Sequence, residues 1–228
     1  MSSLSALPSV RLAKGRATAG LDATLQRFID IRRFLKTVES LGKRWAIVGG
    51  APRQWALGDF GSVRDLDIAI GMPPAMLERV VLDWQWDNRE SVSISDTGLG
   101  GYRLSSEAWV LDIWAVAKTV GVANQQVIDT KSFRAVARSA ALSLDSIVVT
   151  SKGTVYENGF FATVHTGILR MNHCSIERPQ KIAEKAIRLC ERFQVVPDIS
   201  VQSLIASFLG TDTLRSLLRS RPFAQDRR

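Results

Sequence analysis

The sequence predicts an α+β fold: a mixed β-sheet with flanking helices, followed by a small helical C-terminal region. Three observations carry that expectation. Between Arg44 and Asn158, short apolar or alternating runs are bounded by glycine and proline, as strands are. Segments with apolar residues at helical spacing lie before and between them. Beyond Phe160 the spacing stays helical almost to the end. With 228 residues, 46% apolar and 23% charged, the chain suits one mid-sized globular domain or a domain with a small appendage.

The elements follow in order. Residues 21–41 place Leu25, Phe28, Ile29, Ile31, Leu35, Val38 and Leu41 near helical spacing, with Gly42 suited to the position after the helix end. Arg44–Gly50 is a short buried strand running into a glycine turn, and 52–58 are one or two helical turns opened by Pro52. Asp65–Ile70 is a strand. Pro73 and Pro74 open a helix to about Trp86. Ser91–Ser95, Gly101–Leu104 and Trp109–Val116 are further strands, the last apolar throughout except at Asp112. Residues 118–138 fit no single pattern. Leu142–Thr150 reads as a strand, Lys152-Gly153 as a turn, and Thr154–Asn158 as the second arm of a hairpin. Helices are expected at about 160–171, 179–194, 199–209 and 211–220. The organisation is then a flexible basic arm over 1–20, a sheet-bearing domain over 21–150, and a smaller, mostly helical module with a basic tail over 151–228.

The net charge of +8 is concentrated at the ends. Residues 1–20 contribute +3 through Arg11, Lys14 and Arg16; residues 215–228 contribute +4. The body is nearly neutral, so basicity alone does not mark a nucleic-acid partner; the tails are either polyanion-binding or plainly solvated. No run of 18 apolar residues exists, which excludes a membrane-spanning helix from the expectation. Cys174 and Cys190 form no CxxC pair and cannot make a disulfide framework, pointing to a reducing, cytoplasmic setting.

Three aspartates stand out. Asp65 and Asp67 are two apart on one strand, so their side chains leave the same face. Asp112 lies inside Trp-Val-Leu-Asp-Ile-Trp, where a carboxylate must be paired, liganded or neutralised. Three carboxylates on adjacent strands can hold two divalent ions for phosphoryl-type transfer, and oxygen ligands suit Mg²⁺. The alternative is a chance Asp-x-Asp, with Asp112 paired to a nearby arginine. Upstream, Val48-Gly49-Gly50 ends a strand and opens a helix, a turn in which backbone amides approach a phosphate closely.

Val48-Gly-Gly-Ala-Pro-Arg-Gln-Trp-Ala-Leu-Gly58, followed by Arg64-Asp-Leu-Asp-Ile-Ala-Ile70, resembles the head domain of the bacterial poly(A) polymerase and CCA-adding tRNA nucleotidyltransferase family, within the polymerase-beta-like superfamily. The resemblance implies that 21–150 is a nucleotidyltransferase head, that Gly49 and Gly50 hold a nucleoside triphosphate, and that Arg53 contacts its phosphates. It implies Asp65 and Asp67 as metal ligands, with Asp112 the third carboxylate. A fainter likeness continues through Leu142–Val149, Gly153, Gly167–Arg170 and the helix bearing Lys181, Lys185 and Arg188, so that 44–193 are covered in all. The chain departs from the family at four points. Fourteen residues separate Gly50 from Asp65, slightly more than usual. Asp145 stands in place of an asparagine, and Glu177-Arg-Pro-Gln-Lys181 is the nearest match to the base-selecting motif. The family's long helical RNA-gripping body has no counterpart in these residues.

The resulting expectation is a Mg²⁺-dependent enzyme with a two-metal site. It would transfer a nucleoside monophosphate from an NTP to an RNA 3′ hydroxyl, tRNA among the candidates. The competing acceptor is a protein side chain or a small molecule, which the near-neutral body favours; a non-catalytic nucleotide-binding relative is the third reading. Arg64 would steady phosphate or neutralise the carboxylates. Trp109 and Trp114 read as core. His165, His173, Cys174 and Cys190 lack zinc-ligand spacing. Lys181, Lys185 and Arg188 share a helical face, either solvated or meeting phosphate. Tyr102 and Arg103 lie near enough to line the cleft, without an assigned role.

Overall fold

The computed structural model describes residues 9–61, 63–88, 92–119, 132–172 and 178–219. They fall into two compact units: one runs to Ala140 and includes Asp145–Asn158, and the other holds Ala141–Leu144 and resumes at Gly159.

In the larger unit, helix α1 (Val10–Arg27) starts at Ser9, whose hydroxyl accepts from the Leu12 amide at 3.3 Å. Residues 10–20, expected within a flexible arm, are therefore helical. The physical reason is a stripe of small residues: Ala13, Ala17 and Gly20 are buried, and a Cβ on Gly20 would lie 2.2 Å from Trp55 Cγ. Small side chains carry little hydrophobic signal but let another helix approach closely. The single helix expected over 21–41 is two. Phe28 leaves helical geometry (φ −107°, ψ 81°) with its ring buried, and α2 (Ile29–Ser40) resumes beyond it.

Seven strands follow: β1 (Trp45–Val48), β2 (Asp65–Ile70), β3 (Ser93–Asp96), β4 (Gly101–Ser105), β5 (Val110–Ala115), β6 (Ile147–Thr150) and β7 (Val155–Glu157). Their order in the sheet is β3-β4-β5-β2-β1-β6-β7. β2 and β5 run parallel, and every other neighbouring pair is antiparallel, so the sheet is mixed as expected. Helices α3 (Gly50–Ala56) and α4 (Pro74–Asn88) sit before and after β2. The expected strand over 142–150 is shorter: Ser143–Asp145 is a 3-10 turn, because Ser143 bonds Arg170 and Thr163 while Asp145 turns to Arg53. Of the undecided stretch 118–138, Phe133–Arg138 forms helix α5; 120–131 lie outside the described residues.

Alternation along the strands makes two different faces. Ile47, Leu66, Ile68, Leu104, Leu111 and Ile113 line one and are fully buried. On the other, Ala46, Ala69 and Val148 pack under Phe133, Val136 and Ala137 of α5, with Val48, Trp114 and Tyr156 at the margin. Past that margin the same face continues to the aspartates. Phe34 of α2 meets Trp84 of α4 edge-on at 5.4 Å, and Trp84 meets Trp109, which is 3% exposed and core as expected.

In the smaller unit, α6 (Phe160–Thr166) ends earlier than expected. Gly167 takes φ +69°, and Ile168-Leu169 form strand β8, paired in parallel with β9 (Val196–Pro197). Helices α7 (Pro179–Phe193), α8 (Ile199–Leu209) and α9 (Thr211–Arg219) match the predicted positions. Among the described residues no helix is long and apolar enough to cross a membrane.

Candidate active site

The site is built where β1 ends. Gly49 caps α3 at φ +69°, a left-handed conformation that favours glycine, and its amide donates to the Ile147 carbonyl at 2.9 Å. The Gly49-Gly50 turn is thereby pinned to β6. Arg53, one turn into α3, is 6% exposed, and its Nη1 donates to the Asp145 carboxylate in a buried ion pair. A Cβ on Gly50 would stand 3.8 Å from Arg53 Nη2, so the guanidinium lies directly against the turn. The side chain implied as a phosphate contact is thus tied to Asp145, the residue that stands in place of an asparagine.

The carboxylates lie across β1 from this turn. Asp67 is opposite Val48 in the antiparallel β1–β2 register and opposite Asp112 in the parallel β2–β5 register. Directly paired residues share a face, so Asp65, Asp67 and Asp112 emerge on one side of two adjacent strands. Asp65 and Arg64 are exposed; Asp67 and Asp112 are half-buried.

Next to Asp112 on the other side stands Arg103 of β4, its direct antiparallel partner. Arg103 Nε donates to Asp112 Oδ1 at 2.7 Å, and Nη2 donates to Oδ2 at 2.6 Å. This two-point fork is the strong geometry for an arginine–carboxylate pair. The hydrogen bond and charge of Asp112 hold the Arg103 pKa above its ordinary value; partial burial opposes this, while Asp65 and Asp67 add to it. The guanidinium therefore feels all three carboxylates. The reading of Asp112 as paired with a nearby arginine is what the structure contains, and the role of Arg103 was not legible from sequence. Its signal lay in the β4–β5 register, which spacing alone does not reveal.

Tyr102, beside it, is paired with Ile113 and so faces the opposite side of the sheet from Asp112. Burial, then the charges of Glu78 and Asp96, push its phenol pKa up. Trp114 lies on the carboxylate face, donates Nε1 to Thr119 Oγ1 at 2.9 Å and packs with the α5 cluster. In the smaller unit, Lys181, Lys185, Arg188 and His165 are exposed, and Cys190 is buried. His173, Cys174 and Glu177 lie outside the described residues.

Oxygen-only donors suit Mg²⁺. Among the described residues, no three His, Cys, Asp or Glu side chains stand grouped to hold a metal ion. Both Asp112 oxygens accept from Arg103.

No protein-family model matches the chain, and no curated protein matches it. Solved structures do. A tRNA-processing enzyme in an apo form is 18% identical at a TM-score of 0.57, over 87% of this chain and 49% of that one. A tRNA nucleotidyltransferase complexed with a primer tRNA and an incoming ATP analogue is 17% identical at 0.55, over 82% and 52%. A CCA-adding enzyme complexed with CTP is 16% identical at 0.54, over 80% and 43%. The chain spans about half the length of the solved structures it matches. At such identities the likeness is one of fold: the chain carries the α+β architecture of the tRNA nucleotidyltransferase and CCA-adding enzyme structures.

Proposed function

We propose that this protein is a nucleotidyltransferase that moves a nucleoside monophosphate from an NTP to an RNA 3′ hydroxyl and releases pyrophosphate. One observation carries the reading: Asp65, Asp67 and Asp112 share a face of adjacent strands, across β1 from a Gly-Gly turn, within this fold. Neighbours of the same architecture include a tRNA nucleotidyltransferase with primer tRNA and an ATP analogue, which supports an NTP and RNA as partners.

Asp112 orients the acceptor hydroxyl and takes its proton on a carboxylate oxygen. The freed oxygen attacks the α-phosphorus, and the bond from that phosphorus to the bridging oxygen of the β-phosphate breaks. Divalent cation, when bound by Asp65, Asp67 and Asp112, supplies positive charge across the reacting phosphate. Gly49 and Gly50 leave backbone room for the departing pyrophosphate, with Arg53 holding the turn from within. Arg64, exposed beside Asp65, adds positive charge at the same edge. Positioning and charge neutralisation supply most of the rate enhancement in such a site.

Incorporation of each α-labelled NTP with Mg²⁺, with and without total cellular RNA, tests the reading. Label in nuclease-sensitive, tRNA-sized product is expected, weakening steeply with added salt as phosphate-mediated binding does. Asp65→Ala and Asp67→Ala should each abolish it; full activity in either variant rejects the mechanism. Label in a protease-sensitive band moves the acceptor to protein.

A further inference from the structure

The Arg103–Asp112 pair is self-contained. Among the described residues, the Arg103 side chain hydrogen-bonds only Asp112, and the Asp112 side chain only Arg103. The arginine side chain is 54% exposed and the aspartate 23%, so the fork opens into solvent without breaking another side-chain hydrogen bond. On its far side, Arg103 is paired in register with Ser95 of β3, a small residue. On its near side stand three carboxylates of one face, each lowering the energy of its charge. The guanidinium thus covers both oxygens of Asp112.

We propose that Arg103 is a built-in counter-cation: it holds both oxygens of Asp112 and must swing away before Asp65, Asp67 and Asp112 bind divalent cation together. This rests on the reading of the three aspartates as a metal site. Arg103 is then a positioning residue that acts through Asp112. Competition with an internal cation weakens the site for metal alone.

Mn²⁺ binding to the full chain without nucleotide, followed by the EPR signal of the free ion, reads this directly. Arg103→Gln should tighten Mn²⁺ binding about fivefold, the factor corresponding to release of one solvent-accessible ion pair. Arg64→Gln, which removes a cation from the same edge without freeing Asp112, should change it less than about twofold, because exposed charges are screened. In an Asp112→Asn background, Arg103→Gln should change Mn²⁺ affinity less than about twofold, because only its charge on Asp65 and Asp67 remains. Arg103→Lys keeps the charge, loses the fork and should fall between wild type and Arg103→Gln. Equal tightening by Arg103→Gln and Arg64→Gln would overturn the proposal, as would the full fivefold tightening surviving in the Asp112→Asn background. Wild type that binds Mn²⁺ with unchanged affinity in Arg103→Gln rejects the counter-cation and leaves the metal site standing. No Mn²⁺ binding by any variant rejects the metal site, and the counter-cation with it.

Discussion

Two arginine–aspartate pairs flank the Gly-Gly turn and the carboxylate face, and burial sets them apart. Arg53 and Asp145 have side chains 8% and 10% exposed, joining α3 to the turn before β6. Arg103 and Asp112, at 54% and 23%, join β4 to β5 on the open face. Both are the same chemistry. In the buried pair each charge has lost most of its water, so removing one partner is costly to the other. In the exposed pair water replaces either partner, and the net stabilisation is small. The first pair therefore serves as a fixed strut under the glycine turn, and the second as a contact free to exchange.

The largest effect should come from breaking the buried pair. Asp145→Ala removes the ion-pair partner of the buried Arg53 guanidinium, and a loss of about 3–5 kcal/mol in chemical denaturation is expected. Asp145→Asn keeps an oxygen acceptor for Arg53 and should cost less. An Asp145→Ala variant as stable as wild type would erase the distinction between the two pairs.

The strut has a second support. Trp55, fully buried on α3 with Arg53, packs against Gly20 of α1. Gly20→Ala drives a methyl into the indole, since the new Cβ would stand 2.2 Å from Cγ. Overpacking of this kind costs about 1–3 kcal/mol, read as a lower Tm. The damage should fall on the buried side: Mn²⁺ affinity at the carboxylates should hold while stability drops. Lost Mn²⁺ affinity at temperatures where the variant is fully folded would mean the two regions are not separable.

These contrasts explain what could be seen in the sequence. The Gly-Gly turn after β1 and the same-face pair Asp65/Asp67 are local, written in residues a few positions apart. So were most helices, whose periodicity needs no partner to be recognised. The partners were not legible. Asp145 meets Arg53 across 92 positions, and Arg103 meets Asp112 only because β4 and β5 settle in one register rather than one residue over. Helix α1 was hidden for a different reason. Its buried stripe of Ala13, Ala17 and Gly20 gains its value from the closeness of Trp55, which no hydropathy pattern records.

The smallest effect on stability should belong to Arg103→Gln, and it sharpens the comparison most. Losing the fork costs about 0–1 kcal/mol on the scale of exposed pairs. That cost has an identifiable origin. Asp67 and Asp112 are direct partners in the β2–β5 register, and like charges so placed repel once the guanidinium is gone. A cation that relieves this repulsion binds the folded chain and not the unfolded one, so it raises stability by mass action. Added Mn²⁺ should therefore lift the Tm of Arg103→Gln by more than it lifts that of wild type, where Arg103 already does part of the same work. A loss above about 2 kcal/mol, unmoved by Mn²⁺, would instead place Arg103–Asp112 with the buried pair as a structural tie, beyond the range of exposed ion pairs.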